Sequence, residues 1–103
     1  MNYFSINSGG KPKVKRHCIL ATGSKYPDER AKSTEIYDMA KDEWTVGPQM
    51  NCPRHYHSTV VTSDLQAFVF GGRDSTNESP LGSIEMLDLR APEEERHWVN
   101  LEI

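Results

Sequence analysis

The sequence predicts an all-β protein made of two repeats, each a sheet of four short antiparallel strands. No stretch keeps a 3.6-residue apolar period over three helical turns, whereas short apolar runs bounded by Gly, Pro and Asp recur along the chain. One order of features occurs twice: a strand ending at glycine, a polar loop, a strand ending at aspartate, a turn and a tryptophan. A period of about 50 residues with four strands per unit is typical of propeller blades, so a partial β-propeller is predicted.

The first repeat is assigned to residues 1–50. Its apolar run at 17–22 stops at Gly23, and residues 33–38 alternate polar and apolar side chains, as a half-buried strand does. A long polar segment separates the strand nearest the amino terminus from the run at 17–22. The four strands are predicted at residues 3–6, 17–22, 33–38 and 44–46.

The second repeat is assigned to residues 51–103. Its apolar run stops at the pair Gly71-Gly72, which predicts a sharp turn with positive φ or a close approach of a neighbouring strand. A polar loop at 73–83 follows, and a charged insertion at 91–96 precedes the last strand. The four strands are predicted at residues 57–61, 67–70, 84–89 and 98–101.

The two repeats correspond feature by feature. Gly23 aligns with Gly72, and the strand that ends at Asp38 aligns with the strand that ends at Asp88. This pattern resembles the kelch repeat, in which a strand ending in two glycines precedes a strand with a tyrosine and then a tryptophan. The first repeat departs from it by having one glycine, and the second has leucine in place of the tyrosine. The residues that carry the repeat signature are Gly23, Tyr37, Trp44, Gly71, Gly72 and Trp98.

The resemblance implies how these residues pack. The glycines let strands crowd near the propeller axis, and Trp44 and Trp98 are expected to pack between adjacent blades. Propellers have about 4–8 blades, and each blade relies on its neighbours to cover its faces. Two blades therefore predict a piece of a longer propeller, or a subunit that completes a ring by self-association.

Composition excludes several classes of function. The net charge of −3 argues against non-specific nucleic-acid binding, which needs a basic surface. The apolar runs are far shorter than the roughly 20 residues that span a bilayer, and the start of the sequence does not resemble a signal peptide. Cys18 and Cys52 form neither a disulfide framework nor a zinc motif. A cytoplasmic protein is predicted, with no contact to membranes or nucleic acid.

No catalytic residue, metal site or cofactor is predicted. His55 and His57 are two residues apart and could ligate a metal ion from one face of a strand, but the sequence nominates no third or fourth ligand. Neither cysteine lies in a pattern that indicates a nucleophile with its base.

The loops are therefore the predicted interaction surface, because propellers carry function on the loops between strands. Resemblance to kelch-type ubiquitin-ligase adaptors implies that a partner contacts the loop after the double glycine and the segment before the first strand. The positions that match are Arg54, His55, Tyr56, Arg73, Asp74, Ser75 and Asn77. In the competing interpretation, Arg54 and Arg73 only tie the loops to the blade.

The predicted function is a non-catalytic protein–protein interaction module, and the chain is not expected to be an enzyme. Two alternatives stay open. The chain could be part of a kelch-like propeller enzyme of the oxidase or sugar-isomerase type, or a truncated remnant without independent function.

Overall fold

The first sheet contains four antiparallel strands in chain order. The structure, a computed structural model, describes residues 2–7 and 15–101. The strands are β1 (Asn2–Asn7), β2 (Lys15–Thr22), β3 (Thr34–Asp38) and β4 (Glu43–Val46), in the order β1-β2-β3-β4. A 3₁₀ turn at Glu29–Lys32 lies between β2 and β3, where the Asp28 side chain caps it by accepting a hydrogen bond from the Arg30 N–H.

The rest of the chain forms a second four-stranded sheet and a small ribbon. The sheet is built from β6 (Ser58–Val61), β7 (Gln66–Phe70), β9 (Ile84–Asp88) and β10 (Val99–Leu101), again as neighbouring antiparallel strands. The ribbon pairs β5 (Arg54–His55) with β8 (Arg73–Asp74). The ribbon was not predicted, because a two-residue strand is too short to show alternation. A 3₁₀ turn at Glu93–Glu95 lies in the charged insertion.

These elements confirm the all-β prediction with four-stranded antiparallel sheets. The described residues contain no α-helix, and none of their helical segments is long and apolar enough to cross a membrane. The two sheets do not close a ring. The boundary predicted at residue 50 stays a prediction, although the segment there is well packed: Met50 is 2% exposed and its N–H donates to the Lys32 carbonyl at 2.8 Å.

The core combines one face of each sheet. In the first sheet Leu20 lies opposite Ile36, and in the second Ala67 lies opposite Leu87, so alternate residues share the inner face. Apart from Ala31, the buried apolar side chains of the described residues form one cluster, as expected for two packed layers. Its members are Phe4, Cys18, Leu20, Met50, Ala67, Val69, Leu87, Leu89 and Trp98.

The two tryptophans have different environments. Trp98 is 4% exposed, and its indole Nε1–H donates to the Pro48 carbonyl at 3.0 Å, so it packs against the segment that follows the first sheet. Trp44 is 49% exposed and lies against the Tyr37 ring, with 5.0 Å between centroids. Trp44 does not pack between the two sheets of this chain, because it lies on the face of the first sheet that points away from the second. Its contact with an adjacent blade stays a prediction.

The glycine alignment of the two repeats also needs a correction. The Gly23 N–H donates to the Ser33 carbonyl at 2.9 Å, and the Gly71 N–H faces the Ser83 carbonyl at 3.5 Å. Gly23 is therefore the structural counterpart of Gly71, one residue before the predicted Gly72. Both glycines have positive φ, 74° and 70° respectively.

Candidate functional site

Three segments of the chain meet at one end of the sheets, which we call the loop end: residues 23–33, 50–57 and 71–83. Ser75 joins all three. Its hydroxyl donates to the Ser24 carbonyl at 2.6 Å, and its backbone N–H donates to the Pro53 carbonyl at 2.9 Å. The loop end therefore presents loops of both repeats side by side.

Arg54 anchors the loop end from inside. It is fully buried, and its guanidinium donates to the carbonyls of Gly71 and Ser83, both at 3.1 Å, and to the Ser83 hydroxyl at 3.0 Å. It also pairs with Glu85 at 2.9 Å, with both side chains fully buried. Arg54 is thus not available at the surface, and the prediction that it contacts a partner gives way to the competing interpretation, in which it ties the loops to the blade.

Glu85 completes this anchor. Its carboxylate accepts hydrogen bonds from the backbone N–H groups of Asn51 at 2.6 Å and Cys52 at 3.1 Å. A buried carboxylate is stable only when charge and hydrogen bonds compensate its lost hydration. The Arg54–Glu85 pair therefore fixes the path of the segment that enters the second sheet.

His55 and Ser75 are also inside, contrary to the predicted contact with a partner. They are 6% and 5% exposed, and His55 Nδ1 lies 2.9 Å from the Ser75 Oγ. Because the Ser75 hydroxyl donates to the Ser24 carbonyl, its oxygen accepts from His55, which places a proton on Nδ1. His55 Nε2 faces the Glu78 carboxylate at 3.3 Å. The serine, histidine and acid do not form a nucleophilic triad, since Ser75 is buried and its proton is engaged elsewhere.

His57 belongs to a different contact. Its Nε2 lies 2.7 Å from the Thr22 Oγ1, and this hydroxyl lies 3.0 Å from the Thr59 Oγ1. Burial, reinforced by the positive charge of Arg54, lowers the pKa of His57 to about 4. The ring is therefore neutral at neutral pH and links the two sheets through the threonines.

The two histidines do not act as a metal pair. Tyr56 between them has a φ of 53°, so residues 55–57 are not a regular strand with both imidazoles on one face. In the described part of the chain, no group of three or more His, Cys, Asp or Glu side chains comes close enough to hold a metal ion.

The exposed part of the predicted site is smaller than the sequence suggested. Tyr56 is 83% exposed, with its ring 4.8 Å from the His55 ring. Arg73 and Asn77 are exposed; Arg73 Nη1 donates to the Glu78 carbonyl at 2.8 Å, and the Asn77 Oδ1 accepts from Ser79. Asp74 is half-buried, and its hydrogen bonds from Thr76 lower its pKa.

The first repeat adds a cluster that sequence reasoning missed. Tyr26 is 51% exposed, and the Arg30 guanidinium lies 4.2 Å from its ring centroid, a cation–π distance. Arg30 Nη2 pairs with Asp28 at 2.6 Å; this contact lowers the pKa of the Asp28 carboxyl and raises the pKa of Arg30. The sequence could have indicated this cluster through the repeat, because residues 23–33 are the first-repeat equivalent of the predicted partner-binding loop at 71–83.

A cleft of about 320 Å³ lies between the loops of the two repeats. Its walls combine acidic, basic and uncharged side chains, so it suits a polar surface rather than an apolar ligand. It is lined by Pro27, Asp28, Glu29, Lys32, Gln49, Pro53 and Thr76.

Comparison with known proteins identifies the second repeat. Residues 54–101 match the Kelch motif. Alpha-scruin of Limulus polyphemus is 34% identical over 80 residues, which cover 71% of this chain and 8% of that protein. Galactose oxidase of Gibberella zeae is 43% identical over 54 residues, which cover 52% of this chain and 7% of that protein. Kelch-like protein 8 of Mus musculus is 37% identical over 57 residues, which cover 55% of this chain and 9% of that protein. The chain thus spans less than one tenth of the length of each of these relatives.

Proposed function

Because this chain belongs to the kelch-repeat family through residues 54–101, we propose that it is a non-catalytic module that binds a protein partner through the loop end. Kelch repeats are typically protein-interaction modules, and the loop end carries exposed aromatic and arginine side chains from both repeats. A cytoplasmic location is part of the proposal; it is supported by a cysteine content of two, too low for the framework of a small secreted domain.

Tyr56 is the observation that carries the proposal. The Tyr56 side chain is 83% exposed, and its backbone adopts a left-handed φ of 53°. Such a conformation costs on the order of 1–3 kcal/mol and is found where the surroundings impose it. Here His55 below the ring is fixed by Ser75 and Glu78. The result is a pre-ordered aromatic contact, the side-chain type that dominates many protein interfaces.

Arginine side chains supply the polar half of the surface. Arg73 uses Nη1 for the Glu78 carbonyl, and a guanidinium has five N–H donors in all, so it can still engage a carboxylate of a partner. In the first repeat, Arg30 lies over the Tyr26 ring and pairs with Asp28, so this repeat also presents an exposed guanidinium. We expect a partner segment that offers an apolar side chain to Tyr56 and a carboxylate to Arg73.

The enzyme alternative rests on the similarity to galactose oxidase over 54 residues. The side chains here do not fit a metal-centred oxidase site, because the His55 nitrogens face Ser75 and Glu78 and the His57 Nε2 contacts Thr22. We therefore assign no catalytic step to this chain.

Photocrosslinking of the chain to its partner in living cells would test the proposal. A benzophenone amino acid is placed at Tyr56 and, as a matched control, at Met39, which is 49% exposed in the turn after β3 at the opposite end. We expect a discrete protein adduct from position 56, its loss when Arg73→Glu is added, and no adduct from position 39.

Equal adducts from both positions, or an adduct from position 56 that Arg73→Glu leaves unchanged, would contradict binding at the loop end. Stoichiometric copper together with sugar oxidation that His57→Ala abolishes would favour the enzyme alternative instead.

A further inference from the structure

We propose that a second copy of this chain docks head to tail on the first, with the outer face of its second sheet against the outer face of the neighbour's first sheet. The proposal does not depend on partner binding at the loop end. It rests on two exposed apolar rows and on the contact that the chain already makes between its own two sheets.

The first-sheet outer row crosses all four strands. Tyr3 lies opposite Ile19, Ile19 opposite Tyr37, and Tyr37 opposite Trp44. Tyr3 is 59% exposed and Trp44 is 49% exposed, while the two side chains between them are half-buried. Four neighbouring apolar or aromatic side chains without a charge among them mark an interaction surface rather than a solvated face.

The second-sheet outer row is built in the same way. Val60 lies opposite Phe68, Phe68 opposite Met86, and Met86 opposite Val99. Val60 and Val99 are 46% and 40% exposed, with Phe68 and Met86 half-buried between them. Beside this row the exposed side chains continue apolar through Phe70 and Leu101, at 40% and 36%.

The register of the strands shows which residues are equivalent in the two sheets. Leu20 pairs with Ile36, and Ile36 with Thr45, as Phe68 pairs with Met86 and Met86 with Val99. The second-sheet outer row is therefore the counterpart of the inner face of the first sheet. That inner face already packs against the second sheet within one chain.

The first-sheet outer row is, in turn, the counterpart of the inner face of the second sheet. Tyr37, which pairs with Ile19, takes the place of Leu87, which pairs with Ala67, and Trp44 takes the place of Trp98. Ala67, Leu87 and Trp98 are buried against the first sheet. The two exposed rows are thus the two halves of an interface that the chain has formed once, and a second copy supplies both complements.

This geometry joins different surfaces of the two copies, so the interface is heterologous and propagates to a ring or a filament. Each copy contributes two sheets, and propellers close at about 4–8 blades, so a ring would contain about two to four copies.

Sedimentation velocity of the 103-residue chain at increasing concentration tests the proposal. We expect the mass to rise from 11.7 kDa for one chain to a discrete multiple. Trp44→Glu blocks the first-sheet row and Val99→Glu the second-sheet row, so each variant alone should remain a single chain. Mixing the two variants should give a one-to-one complex, because one intact pair of rows remains. Met39→Glu, exposed in a turn, is the control that should assemble like the parent chain.

A parent chain that stays at 11.7 kDa at every concentration would overturn the proposal. So would assembly that only one of the two variants abolishes, since this indicates a symmetric contact through a single row, or a variant mixture that forms no complex. Circular dichroism checks that the variants fold. If Trp44→Glu or Val99→Glu unfolds, Tyr3→Glu and Val60→Glu probe the same rows at more exposed positions.

Discussion

Arg54→Met should destabilise the chain more than any surface charge change. The substitution keeps most of the side-chain volume but leaves the Glu85 carboxylate fully buried, with only the N–H groups of Asn51 and Cys52 as partners. Breaking a buried ion pair from one side costs about 3–5 kcal/mol. The carbonyls of Gly71 and Ser83 each lose the hydrogen bond from Arg54 as well, which favours the upper end of this range. A domain of this size has a free energy of unfolding of about 5–15 kcal/mol, so the loss is a large part of the total.

Urea unfolding followed by tryptophan fluorescence, to which buried Trp98 contributes the change of environment, and by far-UV circular dichroism measures this loss. With a denaturant slope of about 1–3 kcal/mol per molar urea, we expect the midpoint to fall by more than about 1 M. Arg90→Met is the matched control, because its partner Asp88 lies at 3.2 Å and the two side chains are 55% and 40% exposed. The double variant Arg54→Met, Glu85→Met removes both charges and should regain part of the stability.

The reasoning would be refuted if Arg54→Met shifted the midpoint no more than Arg90→Met does. It would also fail if the double variant lost the sum of the two single losses, because the two side chains would then not act as a pair.

Two further predictions concern groups near this anchor. The folded chain keeps His57 neutral, with a pKa of about 4, while the unfolded chain takes up a proton near pH 6.5, so the free energy of unfolding should fall as the pH drops from about 6.5 to 4. His57→Gln should flatten this part of the stability profile in thermal melts, and exposed His97→Gln should leave it unchanged. Gly72→Ala combines a φ of 82° with a Cβ 2.8 Å from the His57 nitrogen, whereas Gly71→Ala has a φ of 70° and open space, and Gly82 has neither problem. Urea midpoints should therefore fall most for Gly72→Ala, less for Gly71→Ala and hardly at all for Gly82→Ala; equal midpoints for all three would contradict the crowding argument.

The middle strands of each sheet were predictable because their buried residues lie on one face, whereas the edge strands β4 and β10 are exposed along their length. Alternation in residues 33–38 and the apolar run at 67–70 are direct consequences of that burial, and β3 and β7 form there. The ribbon of β5 and β8 was not predictable, because each of its strands has only two residues and shows no alternation. One-residue differences in register, such as Gly23 aligning with Gly71, depend on hydrogen bonds that sequence spacing does not resolve.

The location of the candidate site was predictable from the sequence, but which of its side chains point inward and which point to solvent was not. Polar residues in a loop show that the loop meets water, yet they do not show which side chains turn inward to satisfy the loop's own backbone. The side chains of Arg54 and Ser75 turn inward and donate to backbone carbonyls, and His55 is buried beside Ser75. Tyr56 and Arg73 remain outside. Equivalent positions can even differ: Glu85 is fully buried beside Arg54, whereas Glu35, its counterpart in the first sheet, is exposed.

The two proposed surfaces reinforce each other through geometry. A head-to-tail contact repeats the relation between the two sheets, so the loop ends of all copies point to the same side of the assembly. A partner with several binding segments would then engage several copies of Tyr56 at once, and tethering raises the effective concentration for each later contact. Partner binding by assembled chains should consequently be tighter than by Trp44→Glu, although this variant leaves every loop-end residue intact. Unequal affinity for a multivalent partner and equal affinity for a single segment would therefore separate the effect of assembly from the loop-end contact itself.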